Sequence, residues 1–232
     1  MIRNTDQIYI KESVLSMSKV LLVILSFSLF LVACEDPAAN KFKAQTSAPS
    51  NNSSNAAPAN LTAGAVSLPI NPENSKIAFT GSKVTGKHEG GFKSFTGAIE
   101  LVGDKAEDSR VKVEIDMKSV YTDTDQLTGH LQTGDFFEVD KYPKSSFSST
   151  KIVPDAAKGA GNYTVTGDLE MRGVKKSVTF PATIAVTPTD VSVNSEFAIN
   201  RKDFGIVYAG KADDLVRDDV VIHLDLKAAR QR

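Results

Sequence analysis

The chain of 232 residues has one cysteine and no tryptophan, and its charges nearly cancel. A single cysteine cannot form a disulfide within the chain, so a packed core must stabilise any folded domain. With 27 basic and 28 acidic residues, the sequence lacks the basic excess that nucleic-acid binding requires, and we expect no nucleic-acid partner. It also lacks a G-x-S-x-G turn and a phosphate-binding glycine loop with lysine. We therefore expect no enzyme activity, no catalytic residue and no cofactor.

A short apolar run near the start of the chain ends at the only cysteine. Thirteen of the fifteen residues in Val20–Cys34 are hydrophobic, and none is charged. A helix that spans a bilayer needs about 20 apolar residues, so this run is too short to span comfortably. Lys11 and Lys19 precede it, and a positive flank followed by a short apolar run is typical of a secretory signal.

The end of this run, Leu31-Val32-Ala33-Cys34, resembles a bacterial lipobox. In such proteins the cysteine is lipidated through its sulfur and the chain is cut just before it. We therefore predict a signal peptide over residues 1–33, with translation starting at Met17 as an alternative, and a lipid anchor on Cys34. The protein would then face the periplasm or the cell surface of a bacterial envelope. The alternative is an uncleaved N-terminal anchor whose cysteine has no role.

The composition changes after the cysteine. Residues 37–60 are dominated by Ala, Ser, Asn and Pro, and Phe42 is their only large apolar residue. Such a segment buries too little surface to offset the entropy lost on ordering. We therefore predict a disordered tether over residues 34–66. The alternative is that this segment packs on the domain that follows.

From Ser67 onward, apolar and polar residues alternate with period two, which is typical of half-buried strands. Glycine-rich turn signals such as Gly90-Gly91 and Gly103-Asp104 fall between them. Amphipathic strands with short turns favour an antiparallel barrel or a β-sandwich over a parallel sheet. We predict an all-β domain over residues 67–232. Its eight predicted strands are Ile77–Thr80, Phe95–Leu101, Val111–Met117, Ser145–Val153, Tyr163–Leu169, Val178–Val186, Val191–Ile199 and Val220–Leu226.

Two stretches break the alternation. Thr124–Thr133 predicts one short helix, because Leu127 and Leu131 are four residues apart and so lie on one helical face. Lys211–Arg217 predicts a second helical turn or a loop.

Motifs along the domain resemble those of the YceI-like family, described as lipid- or polyisoprenoid-binding. The resemblance rests on the order and spacing of the motifs, since no single one is decisive. The matching segments are Ser75–Phe79, Gly90–Phe92, Phe95–Gly97, Ser119–Thr122, His130-Leu131, Asp135–Phe137, Tyr142-Pro143, Phe147–Ser149, Gly167–Leu169, Gly173-Val174, Asn200-Arg201 and Asp203–Gly205. One departure is the stretch Leu127–Gly129, where many members carry an Arg-Asp pair. No role of that pair can be carried over.

The resemblance implies an extended lipocalin-like antiparallel barrel of eight strands, with one or two short helices and a long internal cavity. Family members with ligand hold an isoprenoid chain, such as a polyprenyl or quinone-type lipid. The resemblance and the inward faces of the strands together predict which side chains line the cavity. The predicted lining is Phe79, Phe95, Ile99, Val113, Ile115, Phe147, Val165, Leu169, Phe180, Ile184, Val193, Phe197, Ile199, Ile222 and Leu224.

Polar candidates are few. His88, His130 and His223 are too scattered to predict a metal site, which takes three or four ligands. His130 and Arg201 match family positions and are predicted at the cavity mouth. A purely local hydrogen bond for His130, and an ion pair between Arg201 and Asp203, are the structural alternatives.

The predicted function is therefore carriage or sequestration of an isoprenoid or similar apolar chain by a lipid-anchored protein outside the cytoplasm. The competing hypothesis is a structural or stress-linked envelope module whose barrel is filled and whose surface binds a protein. Alternation does not separate the two, because a hollow and a filled barrel share it. The oligomeric state stays open, a homodimer included.

Overall fold

The computed structural model describes residues 35–49 and 64–230. The predicted signal peptide and Cys34 lie outside these residues. In the described part of the chain one helix, α1, spans Asp125–Gln132, and single 3₁₀ turns lie at Met117–Ser119, Ala156–Lys158 and Arg201–Phe204. The strands are β1 (Gln45–Ser47), β2 (Ala65–Ile70), β3 (Lys76–Ser82), β4 (Lys87–Phe92), β5 (Phe95–Val102), β6 (Lys105–Asp116), β7 (Val120–Thr122), β8 (Lys144–Pro154), β9 (Asn162–Met171), β10 (Val174–Val186), β11 (Asp190–Asn200), β12 (Gly210–Lys211), β13 (Asp214–Leu215) and β14 (Asp219–Ala229).

The strands form a strongly curled antiparallel sheet. Its order is β2-β5-β6-β8-β9-β10-β11-β14-β3-β4-β7, with β1 added against β10. The eight predicted strands correspond to β3, β5, β6, β8, β9, β10, β11 and β14, and the barrel fold is confirmed. Their apolar faces point inward because successive side chains of a strand alternate between its two faces. The interior holds the main apolar cluster of the described residues.

The Gly90-Gly91 pair does not form the predicted turn but lies inside β4. A Cβ at Gly90 would come within 2.5 Å of both the Phe79 ring and the Tyr121 carbonyl oxygen. The glycines are therefore required by close packing across the β3–β4–β7 region rather than by a turn. Lys211–Arg217, predicted as a helical turn or a loop, instead contributes to the two-stranded hairpin β12–β13.

The barrel wall splits between β10 and β11. The two strands pair only from Thr183 opposite Asn194 to Val186 opposite Val191. Pro181 lies at the fork, and a proline has no N–H to donate to a neighbouring strand. Beyond the last backbone pair, the Ser195 hydroxyl donates a side-chain hydrogen bond to the Pro181 carbonyl at 2.5 Å.

The segment Asp36–Ser47, which we call the strap, fills this split. Strand β1 pairs with β10, Gln45 opposite Thr179. On its other edge, the Ala44 N–H donates to the Ala198 carbonyl at 2.8 Å, and the Ala198 N–H donates to the Phe42 carbonyl at 2.8 Å. The strap is thus an added strand between two strands of the wall.

Side chains of the strap also bind the outside of the barrel. The Lys41 ammonium lies 2.8 Å from Glu196 and the Lys43 ammonium 2.7 Å from Asp219. The Thr46 hydroxyl donates to Asp203 Oδ2 at 2.6 Å. Ala38 is 1% exposed and packs with Ala198 and Val221 of the wall.

The prediction of a disordered tether over residues 34–66 is therefore wrong for the strap and for Ala65-Val66, which begin β2. The composition wrongly predicted disorder in the strap, because the strap is ordered by backbone hydrogen bonds and ion pairs, which need little apolar surface. Residues 50–63 lie outside the described residues. Within residues 35–49 and 64–230, no helix is long and apolar enough to cross a membrane.

Candidate functional site: the barrel cavity and its mouth

An apolar cavity of about 710 Å³ lies inside the barrel. It falls within the range of about 300–1,000 Å³ typical of sites for small ligands. Thirteen of the fifteen residues predicted to line it do so. They are Phe79, Val113, Ile115, Phe147, Val165, Leu169, Phe180, Ile184, Val193, Phe197, Ile199, Ile222 and Leu224. Their role in binding stays a prediction.

Phe95 and Ile99 were wrongly predicted to line the cavity. They are 3% and 2% exposed and belong to the core beside it. Ile99 pairs with Leu68 of β2, which is itself 1% exposed. Strand β2, which the sequence did not predict, thus fills this side of the barrel with its own apolar side chains.

Phe180 and Phe197 meet across the split in the wall. Their rings stack with centroids 4.3 Å apart and an interplanar angle of 9°. Both rings line the cavity, and Ala44 of the strap packs against the same cluster. The strap therefore closes the wall behind two of the largest lining side chains.

One end of the cavity is lined by a second apolar cluster that alternation could not predict. Val120, Leu131, Phe136 and Ile206 form its buried centre. These side chains come from a short strand, a helix and irregular segments, which carry no period-two pattern. Helix α1 begins here because the Thr124 side chain accepts a hydrogen bond from the Leu127 N–H, the usual N-cap contact.

His130 lies in this second cluster and lines the cavity. Its ring contacts those of Phe136 and Tyr208 edge-on, at centroid distances of 4.9 and 5.0 Å. Its Nε2 lies 2.8 Å from Asp135 Oδ2. The imidazole therefore joins the apolar cluster to a carboxylate at the surface. His130 therefore lines the cavity and also makes a local hydrogen bond with Asp135, so the two alternatives for this residue are compatible.

Arg201 also lines the cavity, but its guanidinium is 5% exposed and already engaged. It donates to the carbonyl oxygens of Arg217, Ile206 and Val216 at 3.0, 2.7 and 3.2 Å, and lies 3.3 Å from Asp218. Burial lowers the pKa of Arg201, and Asp218 opposes this shift. The predicted ion pair with Asp203 is absent, because Asp203 accepts from Thr46 instead. Arg201 thus fixes the segment 206–218 that forms one edge of the mouth.

Other polar lining residues include Lys83, His88 and Asp214, which lie at or beside the β3–β4 turn and the β12–β13 hairpin. The Lys83 ammonium is 2.5 Å from Asp214 Oδ2, and this hydrogen bond, with that from Thr85, lowers the pKa of Asp214. His88 Nδ1 lies 2.9 Å from Asp123. Among the described residues there is no group of three or more His, Cys, Asp or Glu side chains arranged to hold a metal ion.

This arrangement suits an apolar chain. The deep lining is made of Val, Ile, Leu and Phe side chains, and each methylene moved from water into such a site gains about 0.8 kcal/mol. The charged residues at the mouth are bound to protein partners, as shown for Lys83 and Arg201. Fold and site together define a barrel-type binding protein with an apolar cavity.

The chain belongs to the YceI-like family: the YceI-like domain matches residues 68–228. A UPF0312 protein of Pseudomonas putida is 33% identical over 141 residues, which cover 57% of this chain and 71% of the relative. The crystal structure of Burkholderia cenocepacia BcnA is 26% identical, with a TM-score of 0.59, over 66% of this chain and 96% of that one. A polyisoprenoid binding domain from Saccharophagus degradans is 19% identical, with a TM-score of 0.55, over 71% and 99%. This last likeness shows the fold alone.

Proposed function

We propose that this protein binds an isoprenoid or similar apolar chain inside its barrel and carries or sequesters it outside the cytoplasm. The observation that carries the proposal is the apolar cavity of about 710 Å³ inside the barrel. A filled barrel, as the competing structural hypothesis requires, would place side chains in that volume, since protein interiors are close-packed. The family membership, and the likeness in fold to the polyisoprenoid binding domain from Saccharophagus degradans, support an isoprenoid as the ligand class.

The location is part of the same proposal. The apolar run that ends at Leu31-Val32-Ala33-Cys34 supports export and lipidation of Cys34. Mass spectrometry of the native protein tests this part by itself. We expect the peptide that begins at Cys34 to carry acyl chains. An unmodified Cys34 peptide would contradict the anchor and leave the cavity proposal standing.

Native mass spectrometry of the full chain, purified from the membranes in which it is made, tests ligand binding. We expect an adduct that organic solvent extracts as an isoprenoid. The Ile115→Glu variant should lose it, because Ile115 lines the cavity. Glu114→Gln, at an exposed position on the same strand, is the matched control and should retain it. A chain without adduct that takes up neither added quinones nor polyprenyl lipids would refute the proposal.

A further inference from the structure

Three large apolar side chains are exposed on loops at the mouth of the cavity. Val84, Val207 and Leu215 are 51%, 66% and 48% exposed. Each is adjacent in sequence to a residue that lines the cavity, as Val84 is to Lys83 and Leu215 is to Val216. Single exposed apolar residues are common on proteins, but three grouped around an apolar cavity mark a surface for interaction.

Two of these side chains are held in place by contacts between their loops. The Val84 N–H donates to the Leu215 carbonyl at 3.1 Å. Beside it, Asp214 accepts from the Lys83 ammonium at 2.5 Å and from the Thr85 hydroxyl at 2.8 Å. The hairpin β12–β13 and the β3–β4 turn therefore present Val84 and Leu215 as one fixed edge. We call this edge, with Val207, the apolar rim.

The composition around the apolar rim fits a lipid surface. Tyr208, next to Val207, is half-buried, and tyrosine is enriched where proteins meet the membrane–water interface. Residues 83–88 and 206–217 together carry Lys83, Lys87, Lys211 and Arg217 against two aspartates. Lys83, Lys87 and Arg217 are paired with Asp214, Glu89 and Asp36, whereas the exposed Lys211 is available to anionic lipid head groups.

The strap enters the domain beside the apolar rim. Arg217 Nη1 lies 3.3 Å from Asp36 Oδ2, and Arg217 is two residues from Leu215. The Asp36 carboxylate also accepts from the Ala38 N–H at 2.9 Å, and the buried Ala38 holds this end of the strap on the barrel. Cys34 is two residues before Asp36 in the sequence, so a lipid on Cys34 would be joined covalently to this end of the strap.

We propose that the apolar rim docks on the lipid bilayer that holds the anchor, so that the cavity opens toward the membrane. A cargo chain would then pass between bilayer and barrel without crossing water, in which exposed apolar surface is unfavourable. The inference rests on the proposed function for its cargo and its anchor. The sequence predicted a domain that a flexible tether holds away from the membrane. In the docked arrangement, the mouth of the cavity lies against the membrane instead.

The absence of tryptophan makes a direct test possible. The Leu215→Trp variant places a fluorescent side chain in the apolar rim. Val153→Trp places the same probe at an exposed valine near the end of β8, toward the opposite end of the barrel. The full chain is reconstituted in vesicles of phosphatidylcholine and phosphatidylglycerol with brominated acyl chains, which quench tryptophan only on contact with the hydrocarbon region.

We expect fluorescence to be lost for Leu215→Trp and kept for Val153→Trp. Equal fluorescence of the two variants in vesicles that carry the chain, or failure of the chain to float with the vesicles, would overturn docking. Combined Val84→Ser, Val207→Ser and Leu215→Ser substitutions should slow the transfer of a quinone from vesicles while the purified chain keeps its adduct by mass spectrometry. Unchanged transfer also overturns docking, whereas an absent adduct in the unsubstituted chain refutes the proposed function instead.

Discussion

The strap offers a quantitative prediction because one amide connects it to a buried carbonyl. In Ala44→Pro the N–H that donates to Ala198 at 2.8 Å is removed, and the Ala198 carbonyl is left without its partner. Ala198 is 1% exposed, so water cannot replace the lost donor. An orphaned buried carbonyl costs about 1–3 kcal/mol.

The same free energy sets how often the strap opens. Lys41 and Lys43 are trypsin sites inside the strap, and proteolysis follows the open population when opening and closing are fast. A loss of about 1–3 kcal/mol raises that population by roughly 5- to 150-fold. We therefore expect cleavage after Lys41 of folded Ala44→Pro to accelerate within that range, measured by mass spectrometry of the fragments over time. The bond after Lys43 cannot report on this variant, because trypsin does not cut a Lys-Pro bond.

Ala48→Pro is the matched control. It introduces the same residue just after β1, where the amide donates no hydrogen bond within the described residues. Its strap should be cleaved at the rate of the unsubstituted chain. If Ala44→Pro is cleaved no faster than Ala48→Pro, the strap is not held by the backbone contact with β11, and the account of the split wall is wrong.

Three further predictions concern the site and the strap. Phe197→Glu should abolish lipid retention without changing the far-ultraviolet circular dichroism of the fold, and retention by the folded variant would remove this residue from the site. Arg201→Met should lower the free energy of unfolding by about 3 kcal/mol, because it orphans three carbonyl oxygens, and a denaturant midpoint near that of the unsubstituted chain would contradict the role of Arg201. The hydrogen bond from Lys41 lowers the pKa of Glu196 below its ordinary value of 4.5. The stabilisation is therefore full above about pH 4.5 and is lost as pH falls through the folded-state pKa. The protection of the strap amides against hydrogen exchange, taken relative to the intrinsic rate at each pH, should fall there, and Lys41→Met should weaken this pH dependence.

The pairing between β10 and β11 shows why the strap could not be predicted from composition. Pro181 was visible in the sequence, but its consequence depends on which strands lie beside β10. Once β11 separates from β10, its free backbone groups need partners, and the chain supplies them from residues far away in sequence. The strap is ordered by these contacts, although its own sequence is poor in apolar residues.

The mouth of the cavity also depends on contacts between segments that are distant in sequence. Leu131, Phe136 and Ile206 meet there from a helix and irregular segments, and no local period marks them as neighbours. Phe95 and Ile99 show the converse, because their alternation correctly predicted an inward direction, yet both pack in the core beside the cavity, Ile99 next to Leu68 of β2. The side of the sheet to which a side chain points can be predicted from the local sequence. Whether that side chain lines a cavity depends on which distant side chains pack around it.

The sequence by itself determined the eight long strands, the short helix, the family and the inward direction of the apolar faces. These follow from alternation and capping, which act between residues a few positions apart. Only the tertiary structure decided that the barrel is hollow, that Asp36–Ser47 completes its wall, and that Val84, Val207 and Leu215 surround its mouth. These features depend on how distant segments share space and hydrogen-bonding groups, and a local pattern carries no information about either.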